Sequence, residues 1–240
     1  DIPDHDLFTY SFPCQDISVA GQTKGIVAGQ TRSGLLYECE KIIEGKRPKY
    51  LLMENVKNLV GKKFKADFDR WLDYLEGLGY ANYWKVLNAK HYGVPQNRER
   101  VFCVSILGEH DPYEFPAETS LGVKMAELLE EQVEEKYFLK KTKDYFINHS
   151  FDMEQKGNGF RFVPHIKKNA EIARTITTKA GGRMDDNFII DLPLEVDCLE
   201  FSLDNPLLCN LLGELKNLEI RRLTPKECFR LMGLTDNDIE

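Results

Sequence analysis

Apolar and polar positions alternate between two periods along the first half of the chain. Leu7-Phe8-Thr9-Tyr10-Ser11-Phe12 is a short apolar run of the kind a buried strand carries. From Leu35 to Lys46 the positions Leu35, Leu36, Cys39, Ile42 and Ile43 recur at helical spacing, and Pro48 ends the pattern. Tyr50-Leu51-Leu52-Met53 predicts a second buried strand. Phe64, Phe68, Trp71, Leu72, Leu75 and Leu78 then mark one face of an amphipathic helix that Gly79 stops. Tyr83–Leu87 and Val101–Leu107 predict two further strands. Strands alternating with helices imply an α/β domain, doubly wound, with a largely parallel sheet covered on both faces. Chemistry in such sheets gathers at the carboxyl ends of the strands. Cys14 follows the first strand and Glu54 the second, so both are expected at that edge.

The pattern changes near Pro112–Pro116. Lys124–Lys136, "KMAELLEEQVEEK", predicts a charged helical stretch whose glutamates form a solvated face. From Gly157 to Asp191 the chain is rich in Gly, Thr and basic residues, which reads as hairpin or irregular structure in a separate small lobe. Asp191–Glu219 is apolar and acidic and carries no element assignment. "LTPKECFRLMGL" then begins a helix: Thr224 is the N-cap, Pro225 the first position, Glu227 completes a capping box and Gly233 supplies the stop.

A chain of 240 residues accommodates one domain plus a smaller lobe. No apolar run approaches the ~20 residues that span a bilayer, so the expectation is a cytoplasmic protein without a membrane partner. The opening Asp1-Ile2-Pro3-Asp4-His5-Asp6 has no initiator Met and no signal-peptide pattern, which suggests a trimmed or partial chain. The six cysteines form no Cys-x-x-Cys pair, which points to reduced thiols and argues against a metal site. A net charge of −7 means that any polyanion must be met by a local basic surface. The basic-rich region is the small lobe, with Arg161, Lys167, Lys168, Arg174, Lys179 and Arg183.

Four short segments carry the chemistry: "FPCQ" at Phe12–Gln15, "MENV" at Met53–Val56, "QNRERVF" at Gln96–Phe102 and "RRLTPKECFRLMG" at Arg221–Gly233. In this order and spacing they closely resemble the cytosine-5 DNA methyltransferase family, from about Asp6 to Gly233. Ala173–Gly182, "ARTITTKAGG", is similar to the threonine-containing core of that family's target-recognition region. The resemblance implies a Rossmann-like, S-adenosylmethionine-dependent methyltransferase fold, here incomplete, with a small, mainly irregular or β target-recognition lobe. The implied domains are a partial catalytic α/β domain over 1–116, a linker and target-recognition domain over 117–220, and a segment over 221–240 that returns to pack on the catalytic domain.

The implied reaction suits these residue types. Carbon 5 of cytosine is a poor nucleophile, so a thiolate, Cys14, adds at carbon 6 and pushes electron density onto carbon 5. Charge building on the ring needs a proton or hydrogen bond at nitrogen 3 and at the exocyclic amine, which a carboxyl group, Glu54, supplies. By resemblance, Arg100 reaches the 2-oxo oxygen and braces Glu54, while Arg98 lies close to the phosphate of the target nucleotide. Arg98 and Arg100 alternate on a strand-like segment and are expected to point the same way. The partner is double-stranded DNA whose target base is rotated out of the stack. Ser18–Arg32, with Gly21, Gly25 and Gly29, is expected to act as a lid. Further implied DNA contacts are Gln15, Ser18, Arg32, Gln96, Arg174, Thr175, Thr177 and Lys179.

The family binds S-adenosylmethionine through a Phe-x-Gly-x-Gly segment that is not in this sequence, nor is the family's Gly-Asn-Ser-Val segment. Pro13 and Leu35 remain as implied cofactor contacts. Three readings stay open for the chain: a fragment, a sequence compressed to ordered residues, or one half of a split enzyme completed by a second polypeptide. The rival functions are an RNA cytosine-5 methyltransferase of the same fold and a non-catalytic DNA-binding partner. A cognate restriction endonuclease is the further implied partner.

Overall fold

The computed structural model describes residues 2–13, 32–155, 162–178, 181–191 and 219–239. They belong to two compact units: Asp1–Asn88 with Glu99–Ala117, and Ala89–Arg98 with Glu118–Glu240. Residues 221–239, expected to return to the catalytic domain, cluster with the second unit.

The first unit is built on strands β1 (Leu7–Tyr10), β2 (Tyr50–Val56), β3 (Tyr80–Asn88) and β5 (Glu99–Leu107), with helices α1 (Leu36–Lys46) and α2 (Lys65–Gly77). The strand order is β1-β2-β5-β3. Only β1 and β2 run parallel; β5 is antiparallel to both β2 and β3. Among the described residues the sheet is therefore mixed, not largely parallel. The reason is local: the segment Ala89–Arg98 between β3 and β5 is too short for the crossover that a parallel neighbour requires, so the two strands pair as a hairpin.

Period-two burial selects the inner face. Leu51, Met53 and Asn55 of β2 are buried and face Ser105, Cys103 and Val101 of β5, while Leu52, Glu54 and Val56 stay half-buried on the other face. Phe68, Trp71, Leu72 and Leu75 of α2 join Leu36 and Ile43 of α1 in the same core. Each fully buried Leu or Phe of this kind contributes about 1.5–3 kcal/mol. The α2 contacts are specific: Trp71 Nε1 donates to the Tyr10 hydroxyl at 3.1 Å, and Asn82 Nδ2 donates to the Leu72 carbonyl at 3.1 Å. Gly79, at φ +89°, ends α2 with backbone that other L-residues rarely adopt.

The second unit holds the two-residue strand β4 (Gln96–Asn97) parallel to β7 (Ala173–Arg174). A three-stranded sheet orders β6 (His165–Ile166), β8 (Phe188–Ile190) and β9 (Ile220–Arg222). Helix α3 (Lys141–Gln155) sets Phe146 against Phe162 and Phe188, and the last two rings stand 5.0 Å apart. Helix α4 (Pro225–Arg230) carries the expected capping box, with Thr224 Oγ1 accepting from Glu227 N.

Lys124–Lys136 is not the expected helix. It forms 3-10 turns at Met125–Leu128 and Glu135–Tyr137, and its glutamates are not all solvated. Met125 and Leu129 are buried against Ile189 and Leu223, Glu130 accepts from the Thr224 hydroxyl, and the Glu130 amide donates to Glu227. These tertiary bonds outweigh what the charge pattern offers an isolated helix.

Candidate active site

Glu54 lies within β2, not beyond it, because the strand runs on to Val56. Its neighbour explains the extension. Asn55 is buried; its Oδ1 accepts from the Val56 amide at 2.8 Å, and its Nδ2 donates to the Phe12 carbonyl at 3.1 Å. That second bond fixes the chain where it leaves β1. The side chain of Glu54 takes the opposite face from Asn55, where Arg100 Nε lies 3.0 Å from Glu54 Oε1 and Ser11 Oγ donates to Oε2 at 3.2 Å.

Register produces this pairing. Glu54 stands opposite Phe102 and Val56 opposite Arg100, so the arginine reaches Glu54 along the diagonal of the antiparallel ladder. Arg100 Nη1 also donates to the Glu99 carbonyl at 2.8 Å, which anchors the guanidinium. The carboxylate side chain is 36% exposed and the guanidinium 19%. A ligand can therefore still reach the carboxyl group. An ion pair this accessible adds little stability, so its value lies in orientation.

In the second unit, Arg98 falls between β4 and β5, outside either strand, so the period-two argument that paired it with Arg100 does not run through it. Its Nη1 donates to the Ile176 carbonyl at 3.4 Å. Gln96, expected at the DNA, is 1% exposed. Its Nε2 donates to the Leu231 carbonyl at 2.9 Å and its Oε1 accepts from the Ile176 amide at 3.0 Å, which is the placement of a brace. Arg174 is likewise placed as a brace, donating to the Val163 carbonyl at 2.8 Å, while Asn187 captures both its backbone N–H and its carbonyl. Thr175 Oγ1 donates to the Asn97 carbonyl at 2.8 Å and Thr177 Oγ1 to Asp186 at 3.4 Å. Thr175, Thr177, Arg174, Arg183 and Asp185 line a cavity of about 450 Å³.

Burial, reinforced by the nearby Arg174 guanidinium, lowers the His165 pKa to about 4. The ring is neutral at pH 7, and its Nε2 stands 3.0 Å from Asn187 Oδ1 and 3.2 Å from Arg174 Nη1, donating to the first in one tautomer and accepting from the second in the other.

Cys14, Gln15, Ser18, the proposed lid and Lys179 lie outside the described residues, as does the side chain of Arg32; the Arg32 backbone opens the 3-10 turn Arg32–Leu35. Pro13 is half-buried and Leu35 is 52% exposed, while its neighbour Leu36 enters the core. Among the described residues no cluster of His, Cys, Asp or Glu could hold a metal ion, and no helix is long and apolar enough to cross a membrane.

Sequence reasoning missed the task of Asn55 and the buried pair of Arg221 with Glu227. Glu227 is fully buried and accepts from Arg221 Nη1 and Nη2, both at 2.8 Å, and from the amides of Thr224 and Glu130. The available signal was the two arginines directly ahead of the capping box.

The type II methyltransferase M2.ScrFI of Lactococcus lactis subsp. cremoris is 62% identical over 140 residues, which is 58% of this chain and 39% of that protein. The type II methyltransferase M.NlaX of Neisseria lactamica is 32% identical over 99% of this chain and 67% of its own length. This chain thus spans between about two fifths and two thirds of these relatives. The Entamoeba histolytica methyltransferase EhMeth shares the fold, with a TM-score of 0.69 at 17% identity over 97% of this chain and 66% of that one. A model of the C-5 cytosine-specific DNA methylase family matches residues 1–237, and the chain belongs to that family.

Proposed function

We propose that this chain carries the core of a DNA (cytosine-5-)-methyltransferase of restriction–modification type, acting on a flipped-out cytosine of double-stranded DNA through a covalent adduct with Cys14. The observation that carries the reading is Glu54, clamped by Arg100 and Ser11 on an accessible face of β2. Asn55 holds the Phe12 carbonyl, and Cys14 follows Pro13 by one peptide bond.

The Cys14 thiolate forms a bond to carbon 6, and the π pair moves to carbon 5. Ring nitrogen 3 then gains basicity and takes the proton of the Glu54 carboxyl group, while Arg100 stabilises the carboxylate left behind. A proton from water is added at carbon 5, the original carbon 5 hydrogen leaves to water as a proton, ring nitrogen 3 returns its proton to Glu54, and the thiolate is expelled; bound S-adenosylmethionine would supply a methyl group in place of the incoming proton. Pro13 and Leu35 offer two apolar contacts and no partner for the charged end of S-adenosylmethionine, so these residues alone do not make the methyl-donor site, and no step is routed through it. On this reading the DNA is met by the second unit through Arg98, Thr175 and Thr177, and a cognate endonuclease works in the same system.

The test isolates the chain's own residues. The enzyme should release tritium from duplex DNA tritiated at carbon 5 of cytosine, because the adduct makes that hydrogen exchangeable with water. Cys14→Ser should abolish release and Glu54→Gln should slow it by about 10²–10⁴-fold. Release that survives Cys14→Ser would overturn the mechanism.

A further inference from the structure

Within the second unit, a cavity of about 690 Å³ is lined, among the described residues, by three cations and an apolar wall. The cations are Arg98, Lys136 and Arg222; Phe229 and Met232 stand on the wall, 40% and 44% exposed. Among the described residues none that lines it is an Asp or Glu, in a chain of net charge −7. Arg222 is held in place twice: its Nη2 donates to the Lys136 carbonyl at 3.2 Å, and its aliphatic stem packs under Gly181. Its Nε is buried and has no hydrogen-bond partner among the described residues. Lys136 is paired with Glu134 at 2.7 Å on an exposed surface, a contact weak enough for a stronger anion to displace.

Concentrated positive charge beside exposed apolar side chains matches the chemistry of a nucleotide, an anionic phosphate joined to a flat apolar base. The volume lies within the range of pockets that hold single small ligands. We propose that this cavity seats one nucleotide of the bound DNA strand, with its phosphate on Lys136 and Arg222 beside Arg98, and its sugar and base against Phe229 and Met232. The inference rests on the DNA-modifying function proposed above. It adds Lys136, Arg222 and Phe229 to the DNA-contacting residues and makes Gly181 a positioning residue that acts through Arg222.

The test is fluorescence anisotropy of duplex DNA binding across a salt series. Lys136→Gln and Arg222→Gln should each lower the slope of log affinity against log salt by about 0.9, and the pair should weaken binding at least roughly tenfold. Phe229→Ser should weaken binding roughly tenfold with the slope unchanged. Arg222→Lys, which keeps the charge, should keep the slope. Because Lys136 is exposed, its variant remains informative if Arg222→Gln disturbs packing. An unchanged slope in Lys136→Gln together with unchanged affinity in Phe229→Ser overturns the proposal. So does sub-millimolar binding of free deoxycytidine monophosphate that Phe229→Ser abolishes while DNA affinity stays intact, which would assign the cavity to a free nucleotide. Tritium release by the wild-type protein separates the two readings: release with unchanged slopes sinks this inference alone, whereas lowered slopes without release sink the reaction and leave the DNA seat standing.

Discussion

Replacing Glu227 with alanine removes the acceptor that holds the second unit's polar core together. The side chain is fully buried and accepts four hydrogen bonds, two from Arg221 and one each from the amides of Thr224 and Glu130, all at 2.8 Å. Stranding a buried guanidinium costs about 3–5 kcal/mol. Two unpaired buried amides add at least about 1 kcal/mol each, partly offset by relaxation. The sum is about 5 kcal/mol, comparable with the whole stability of many domains. With a urea m-value of about 2 kcal/mol/M, the unfolding midpoint of the second unit should fall by about 2–3 M, to the point where much of the unit is unfolded in buffer. Replacing both partners, as in Arg221→Leu with Glu227→Leu, removes the stranded charge and should recover at least about 2 kcal/mol relative to Glu227→Leu alone. Urea melts of the three variants followed by tryptophan-independent far-UV circular dichroism measure this. A loss under about 1.5 kcal/mol in Glu227→Ala, or a double variant no more stable than Glu227→Leu, would refute the view that Glu227 works chiefly by neutralising Arg221.

Three further outcomes are expected. Gly181→Ala forces a left-handed backbone at φ +80° on an alanine and drives a new Cβ into Cβ, Cγ and Cδ of Arg222, so it should cost about 1–2 kcal/mol in a thermal melt and displace Arg222, with weaker DNA binding. His165 binds its proton at about pH 4 when folded but near 6.5 when unfolded, so the unfolded state takes up more protons between those values and stability should fall by up to about 3 kcal/mol as pH drops from 6.5 to 4. His165→Phe should flatten urea midpoints over that window, and an unchanged pH profile would place the buried proton elsewhere. Burial raises the Cys103 and Cys228 thiols to about 11, so iodoacetamide at pH 8 should leave both unmodified in the native protein, and peptide mass spectrometry reads the result.

Elements whose order comes from their own pattern were legible in the sequence. The apolar stripe of α2 and the capping box of α4 stand within a residue or two of where spacing put them, because each is closed by local contacts. Strand direction was not legible, since β5 can lie against β2 either way until the short Ala89–Arg98 link forces the hairpin. Lys124–Lys136 misled for the opposite reason: its glutamates look solvated in sequence, yet Glu130 bonds to Thr224, far along the chain. At the candidate site, residue types pointed to Glu54 and Arg100, and their 3.0 Å contact follows from register. Gln96 and Arg174 show the limit, because a polar side chain that braces backbone carbonyls has the same letters as one that meets a ligand.

The link between β3 and β5 has a consequence for how this sequence tolerates change. Asn88 and Glu99 face each other across the two strands, so the segment between them leaves and rejoins the first unit at one rung of the ladder. Its length is therefore free only in whole loops, never at its edge. A single-residue deletion that pulled the start of β5 out of step would turn every side chain of that strand to the opposite face, burying Arg100 and exposing Val101 and Cys103. Replacement of the entire segment by a two-residue Asn-Gly turn would instead preserve the register and leave the Glu54–Arg100 pair intact.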